Sequence, residues 1–344
     1  SVLVLVIHHI IADDWSAEIV FRELAALYPA FSRGEGTSLP ELSIQYADFA
    51  CWQRERLQGD RLPELLTYWK QQLAGVPSVL ALPTDKPRPQ VPSDRGATVI
   101  FDLPPAVSES IKNLARSEGV TLFMTLLAGF QTLLYAYSRQ EDFCIGSPIA
   151  NRNLRETEEI IGFFVNTLVL RADVSENPSF RELLSRVKEV AIAGYAHQDL
   201  PFEKLLQELK LERSLSHNQL FQVWFVLHNL PVSSLEMAGL TLTPLKFDSG
   251  FVRHDLRLAF WETSTGFAGS FEYKTDLFEA ATINRMVEHL RLIFTKFCEN
   301  VELKLSEVVE IIEEDKKQER LLKERELEKS KLQKLRTIKR KRIN

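Results

Sequence analysis

Cysteine is scarce in this sequence. Among 344 residues there are three, Cys51, Cys144 and Cys298. They are odd in number and widely spaced, which excludes a disulfide framework and a cysteine metal site and makes a reducing cytoplasm the default compartment. Long apolar runs are also missing. None reaches the ~18–20 residues needed to span a bilayer, and Val2–Ile7 lacks the basic flank and small-residue cleavage site of a signal peptide. There is no Gly-x-Ser-x-Gly elbow, which removes that class of hydrolase. A net positive balance is confined to one end. Residues 331–344 hold seven Lys or Arg and no acid, so residues 1–330 carry −12 against −5 for the whole chain. An acidic body argues against nucleic acid as the main partner.

What remains is ordinary for a soluble globular protein, with 45% hydrophobic and 26% charged residues. The length suggests two or three domains and an ample core. The chain is organised around VLVLVIHHIIADDWS, residues 2–16. The continuous apolar run Val2–Ile7 predicts a strand buried on both faces. His8 and His9 follow, and Asp13 and Asp14 open an amphipathic helix over 15–28. Either Asp can cap that helix by accepting a free N–H of its first turn. Neighbouring residues leaving a strand point to opposite sides, so one histidine can face a cavity while the other faces supporting structure. A zinc site built from His8, His9 and Asp13 is the metal alternative, but no Cys or Glu follows at ligand spacing.

Further along, helical spacing predicts helices at 44–57 and 60–74. Residues 83–96 contain four prolines, which fix φ and remove donors. That makes the segment the best domain boundary. Beyond it the pattern predicts a strand at 97–103 and helices at 105–118 and 120–138. A strand running into a loop follows at 142–153, and an apolar strand at 160–174. A helix at 179–195 is followed by a second helix opened by Pro201. The stretch 213–229 enters an alternating strand. A hairpin at 255–262 and 266–278 and a helix at 279–299 close the domain. A buried Asn166 beside a strand must be hydrogen-bonded or cost ~1–3 kcal/mol, which favours a structural clamp. The charge-dense stretch 311–344 reads as a solvated helix.

These stretches together resemble the condensation domains of nonribosomal peptide synthetases, in the chloramphenicol acetyltransferase-like superfamily. His8, His9 and Asp13 match the HHxxxDG signature, with Asp14 at the final glycine. Tyr46, Asp48, Phe49, Ala50 and Trp52 match a Tyr-x-Asp-Phe-Ala-x-Trp motif. Gly162, Val165, Asn166 and Thr167 match GxFVNT. His197, Gln198, Asp199, Pro201, Phe202 and Glu203 match His-Gln-Asp-x-Pro-Phe-Glu. Residues 213–229 resemble the last core motif in the form usual for joining two L-configured residues, with Gln219 where the family tends to have proline. The resemblance covers about residues 1–310.

It implies an α/β (α+β) fold of two chloramphenicol acetyltransferase-like lobes in a V-shaped pseudodimer. Residues 1–92 would be a partial N-terminal lobe, 93–310 the C-terminal lobe, and 311–344 a charged helical tail. The motif lies well inside the first lobe in the family, so the resemblance also implies an N-terminally truncated sequence.

The implied reaction is amide formation between an acyl or peptidyl thioester on one carrier protein and an aminoacyl thioester on the next. Both substrates arrive on 4'-phosphopantetheine arms, with no cofactor or metal bound directly. Imidazole suits the proton handling, because its pKa of ~6.5 lies near that of an α-amine. His9 would contact the amine and His8 would point into structure. Asp13 would brace the loop by pairing with an arginine, Arg152 first and Arg171 second. Asp14 would either cap the helix or place a negative charge beside His9. The implied partners are upstream and downstream peptidyl carrier proteins and an adenylation domain or other synthetase modules, with neither nucleic acid nor membrane. The alternative is a non-catalytic relative that binds carrier proteins or a tailoring enzyme.

Overall fold

The computed structural model describes residues 2–36, 39–210, 218–228, 235–237, 240–243, 245, 250–318 and 321. Two expectations fall partly outside them, the start of the 213–229 motif and most of the tail at 311–344. The chain begins with α1 (Asp14–Ser32), α2 (Tyr46–Arg56) and α3 (Arg61–Gln72). Next come β1 (Gly96–Asp102), α4 (Pro105–Ser117), α5 (Leu122–Ser138), β2 (Asp142–Ile149) and β3 (Asn166–Asp173). Then follow α6 (Phe180–Ala196), α7 (Phe202–Leu209), β4 (Val223–His228), β5 (Leu235–Met237) and β6 (Leu240–Leu242). The hairpin β7 (Leu256–Thr263) and β8 (Gly266–Lys274) leads to α8 (Ala280–Glu299). A last helix, α9, covers 305–318.

Six strands form one mixed sheet in the order β1-β8-β7-β4-β2-β3, and β5 and β6 pair separately. β4 runs parallel to both β2 and β7, and the other neighbours are antiparallel. Local chemistry sets the helix starts. Thr121 accepts from the Met124 N–H, and Ser179 forms a capping box with Glu182. Pro105 sits in the first turn of α4, where its missing donor costs nothing. α5 is buried almost along its whole length. Gly129 is required there, since a Cβ would meet the Phe294 ring at 2.3 Å. No single helix among the described residues is long and apolar enough to cross a membrane.

Two strand expectations are corrected. Val2–Ile7 is not a buried strand. It is exposed, with Val6 at 90%, and no described residue pairs with it. A strand is stabilised by its ladder, and this run has none. The apolar stretch 160–174 becomes β3 only from Asn166, because the backbone before it is committed to the side chains of Asp13 and Ser16, as described below.

The proline segment lies against the body. Asp85 N–H and Lys86 N–H donate to the Leu277 carbonyl, and Arg88 pairs with Asp255 at 2.6 Å. Leu65, Trp69, Leu73 and Leu80 join the same core cluster as the sheet and its helices. Among the described residues, 1–92 supply helices but no strand.

Candidate functional site

Asp13 is the hub of the region that the two histidines open. It is the N-cap of α1, in extended backbone, 7% exposed. Its Oδ1 accepts from Ser16 N–H at 2.9 Å, from Ser16 Oγ at 2.7 Å and from Arg152 Nη2 at 3.0 Å. Its Oδ2 accepts from the N–H groups of Phe164 at 3.0 Å and Val165 at 3.2 Å. Burial alone would raise its pKa. The bonds from Ser16, the Arg152 charge and the Phe164 amide outweigh burial and hold the carboxyl below the usual range.

Arg152, 8% exposed, completes the brace. Its Nη1 donates to the carbonyls of Thr157 and, at 2.7 Å, Ile160. Its guanidinium lies 4.1 Å over the Phe164 ring. Arg171 is elsewhere, bidentate to Asp142 at 2.8 and 2.7 Å. Arg152 is therefore the arginine on Asp13.

Ser16, which the sequence does not single out, receives Gly162 N–H at 3.0 Å, and its Oγ lies 2.8 Å from the Gly162 carbonyl. The signal is its place three residues after an N-cap Asp. Tyr46 belongs to the aromatic motif on α2, and its hydroxyl donates to the Phe163 carbonyl at 2.8 Å. Gly162 is needed because a Cβ would meet Tyr46 Cδ2 at 2.3 Å. Helix α1 is tied to the same loop by Trp15 Nε1, which donates to the Glu158 carbonyl at 2.9 Å. The motifs at 8–13, 46–52 and 162–167 thus converge on one loop.

The histidines sit at the rim. His9 Nδ1 lies 2.6 Å from the Ala12 carbonyl, an acceptor only, so Nδ1 carries a proton and donates. In the neutral ring Nε2 is then a free lone pair. The ring is exposed and meets Phe163 edge-on at 5.1 Å. His8 is also exposed, and its Nδ1 accepts from Ile10 N–H at 3.1 Å. The expectation that His8 points into structure is thereby corrected. The predicted strand is absent, so nothing forces the pair to opposite faces.

Asp13, rather than Asp14, takes the cap bond. Asp14 is the exposed first residue of α1. Its carboxylate acts on Glu18 and on His228 at the end of β4. Asn166 uses its whole amide. Nδ2 donates to the carbonyls of Gln198 at 2.9 Å and Leu200 at 2.8 Å, and Oδ1 accepts from the N–H groups of Thr167 and Phe202. Asp199 accepts from Arg56 and Arg61. No group of three or more His, Cys, Asp or Glu suited to a metal ion occurs among the described residues.

The family described as "Condensation domain" matches residues 1–321. One of the linear gramicidin synthase proteins of Brevibacillus parabrevis is 52% identical over 84% of this chain, which spans 4% of that protein's length. Chondramide synthase cmdD of Chondromyces crocatus is 48% identical over 85% of this chain and 7% of its own length. Among solved structures, a four-domain nonribosomal peptide synthetase bound to AMP and glycine superimposes with TM-score 0.80 at 26% identity. The match covers 88% of this chain and 24% of that one. The X-domain from teicoplanin biosynthesis superimposes with TM-score 0.79 at 29% identity, covering 87% and 70%.

Proposed function

The chain belongs to the condensation-domain family of nonribosomal peptide synthetases, and from that premise we propose that it joins a carrier-bound acyl or peptidyl thioester to a carrier-bound aminoacyl thioester. The amine attacks the thioester carbonyl. A C–N bond forms, the C–S bond breaks, and the thiol leaves on the donor arm. The amine's proton passes to His9 Nε2 and then to the leaving sulfur. The observation that carries this reading is the His9 tautomer. The Ala12 carbonyl holds the proton on Nδ1, and Nε2 is left as an exposed acceptor. Positioned proton transfer of this kind contributes roughly 10²–10⁴ in rate, and holding two tethered substrates together adds more. In this reading Asp13 and Arg152 brace the turn and take no part in proton transfer. The substrates come on phosphopantetheine arms of carrier proteins in a cytoplasmic, multidomain synthetase, with an adenylation domain among its neighbours.

The test is transfer between loaded carrier proteins in the full-length protein. His9→Ala is expected to lower the rate about 10²–10⁴-fold while the melting temperature holds. A fully active His9→Ala protein removes the acid–base role. A second reading is a non-catalytic binding module. The likeness to the X-domain supports it, since a further structure of that domain is a complex with OxyB. Asp14 at the motif's glycine supports it too. Carrier binding without transfer by the unaltered protein would decide for this second reading.

A further inference from the structure

Helices α4, α6 and α8 pack on one face of the six-stranded sheet, where Leu258, Phe260 and Phe271 point into the core. On the other face the strand registers set the side chains in rows that cross β1, β8, β7 and β4. The middle row is Ile100, Ser270, Ala259 and Val226. The row below it holds Glu272 and Arg257. The row above holds Asp102, Ala268, Trp261 and His228. Val226, Ala259 and Ala268 are buried, yet they belong to neither core cluster. Arg257 forms an ion pair with Glu272, and its Nη2 lies 3.4 Å from His228 Nε2. Its side chain therefore crosses the middle row between β7 and β4. That closes the β4 side and leaves a depression over Ser270 and Ala268. Trp261 stands on one side of it and Ile100, 52% exposed, on the other.

Small side chains alone mark no site, and Ser270 adds a second observation. It is 7% exposed, and strand alternation places its side chain on this face. Its hydroxyl has no hydrogen-bond partner among the described residues. A buried polar group is normally paired, and leaving one unpaired costs free energy that an incoming ligand group would recover. Arg257 and Glu272 neutralise each other beside it, so the depression suits an uncharged group.

The strands β1, β2, β4 and β7 end, and β3 and β8 begin, at one end of the sheet. That end carries the loop 150–165, whose Arg152 and Phe164 hold Asp13 beneath the histidine turn. Ala268 lies toward that end, and Ser270 is two residues, about 7 Å, further in. A phenol side chain laid along β8 covers that distance. We propose that the depression receives the side chain of the aminoacyl acceptor and that Ser270 Oγ is a specificity-determining group, selecting a side chain that ends in a hydroxyl, tyrosine by its length. The ring lies over Ala268 beside Trp261, and its hydroxyl meets Ser270. The acceptor is the source because its amine gives the proton to His9, and its side chain leaves from the atom next to that nitrogen. The proposal rests on the transfer reading, which supplies the aminoacyl group.

The test uses the full-length protein with acceptor carriers loaded with tyrosine, phenylalanine or glycine. A site that hydrogen-bonds a substrate hydroxyl rejects the analogue lacking it. Tyrosine is expected to be transferred about three- to tenfold better than phenylalanine, as one neutral hydrogen bond allows. Ser270→Ala should bring that ratio near one with the melting temperature held, because the hydroxyl bonds nothing in the free protein. Ser270→Leu fills the depression and should lower tyrosine at least tenfold relative to glycine. A ratio unchanged in Ser270→Ala, or a preference that follows the donor carrier instead, would overturn the proposal. Calorimetry with tyrosyl- and phenylalanyl-pantetheine, each with an amide in place of the thioester, reads the same preference without turnover. An unaltered protein that transfers nothing defeats the catalytic reading. The calorimetric ratio still decides this one, since equal affinities, or a preference that survives Ser270→Ala, would reject it.

Discussion

At the scale of single residues, Asp13 shows how one carboxylate is made to do structural work. It receives five hydrogen bonds from four residues, three of them distant in sequence. Asp13→Ala strands the buried Arg152 charge and two loop amides. Breaking a buried pair typically costs ~3–5 kcal/mol, and a melting curve should fall by roughly 10 °C. The sign of the pH effect follows from the depressed pKa. The stabilisation is present above the unfolded carboxyl value of ~3.9. It is lost as pH falls through the lower folded value. Urea melts from pH 5 down to pH 2 should therefore show a steeper acid loss in the parent than in Asp13→Asn. Parallel curves would show that Asp13 is not held ionised. The Asp13–Arg152 pairing is legible in the sequence by resemblance. Ser16 is legible only in part: its place three residues after an N-cap Asp is a local signal, but its bonds to Gly162 join positions 146 residues apart and exist only once the chain is folded.

At the scale of elements, the helices are legible because their signals are local. Caps at Asp13, Thr121 and Ser179 and prolines at 105 and 201 mark their starts within a turn. Strands are different, since a strand exists only where another chain segment offers a ladder. That is why 2–7 reads as a strand and is not one, and why β3 begins six residues later than its apolar run. The loop before β3 hydrogen-bonds to Asp13, Ser16 and Tyr46 instead.

Asn166, the first residue of β3, joins that loop to the start of α7. Asn166→Ala should leave the Gln198 and Leu200 carbonyls and the Phe202 amide without their partner, at about 1–3 kcal/mol for each stranded buried group. Asn166→Asp should be no milder, because it keeps the acceptor but turns an anion on two carbonyls. Hydrogen exchange over 198–209 is the measurement. Faster exchange confined to that stretch is expected. Unchanged protection in both variants would show the clamp to be dispensable.

At the scale of the molecule, the division at the prolines is one of composition more than of packing. Helix α3 lies before the boundary, yet Leu65 and Trp69 are buried in the core shared with the sheet. Helix α9 is held in the same way from the other end by Leu305, Val308 and Ile312. The segment before His8 behaves otherwise. Its exposure alternates, with Val2, Val4 and Val6 at 69%, 73% and 90% and Leu3, Leu5 and Ile7 at 58%, 45% and 38%. That is the period of an extended strand with one side turned slightly inward. Its backbone makes no hydrogen bond to another described residue. An apolar, unpaired, extended edge is a template for pairing with a second chain. The 344-residue chain is therefore expected to self-associate as concentration rises, as seen by light scattering. Val4→Lys with Val6→Lys should suppress this, since charge on the outer face opposes edge pairing. Because both side chains lie outside the core, the melting temperature should hold within about a degree, in line with the ±0.5 kcal/mol typical of surface changes. A sharp fall in melting temperature would mean that the segment packs on the body after all. Undiminished association would move the sticky surface elsewhere.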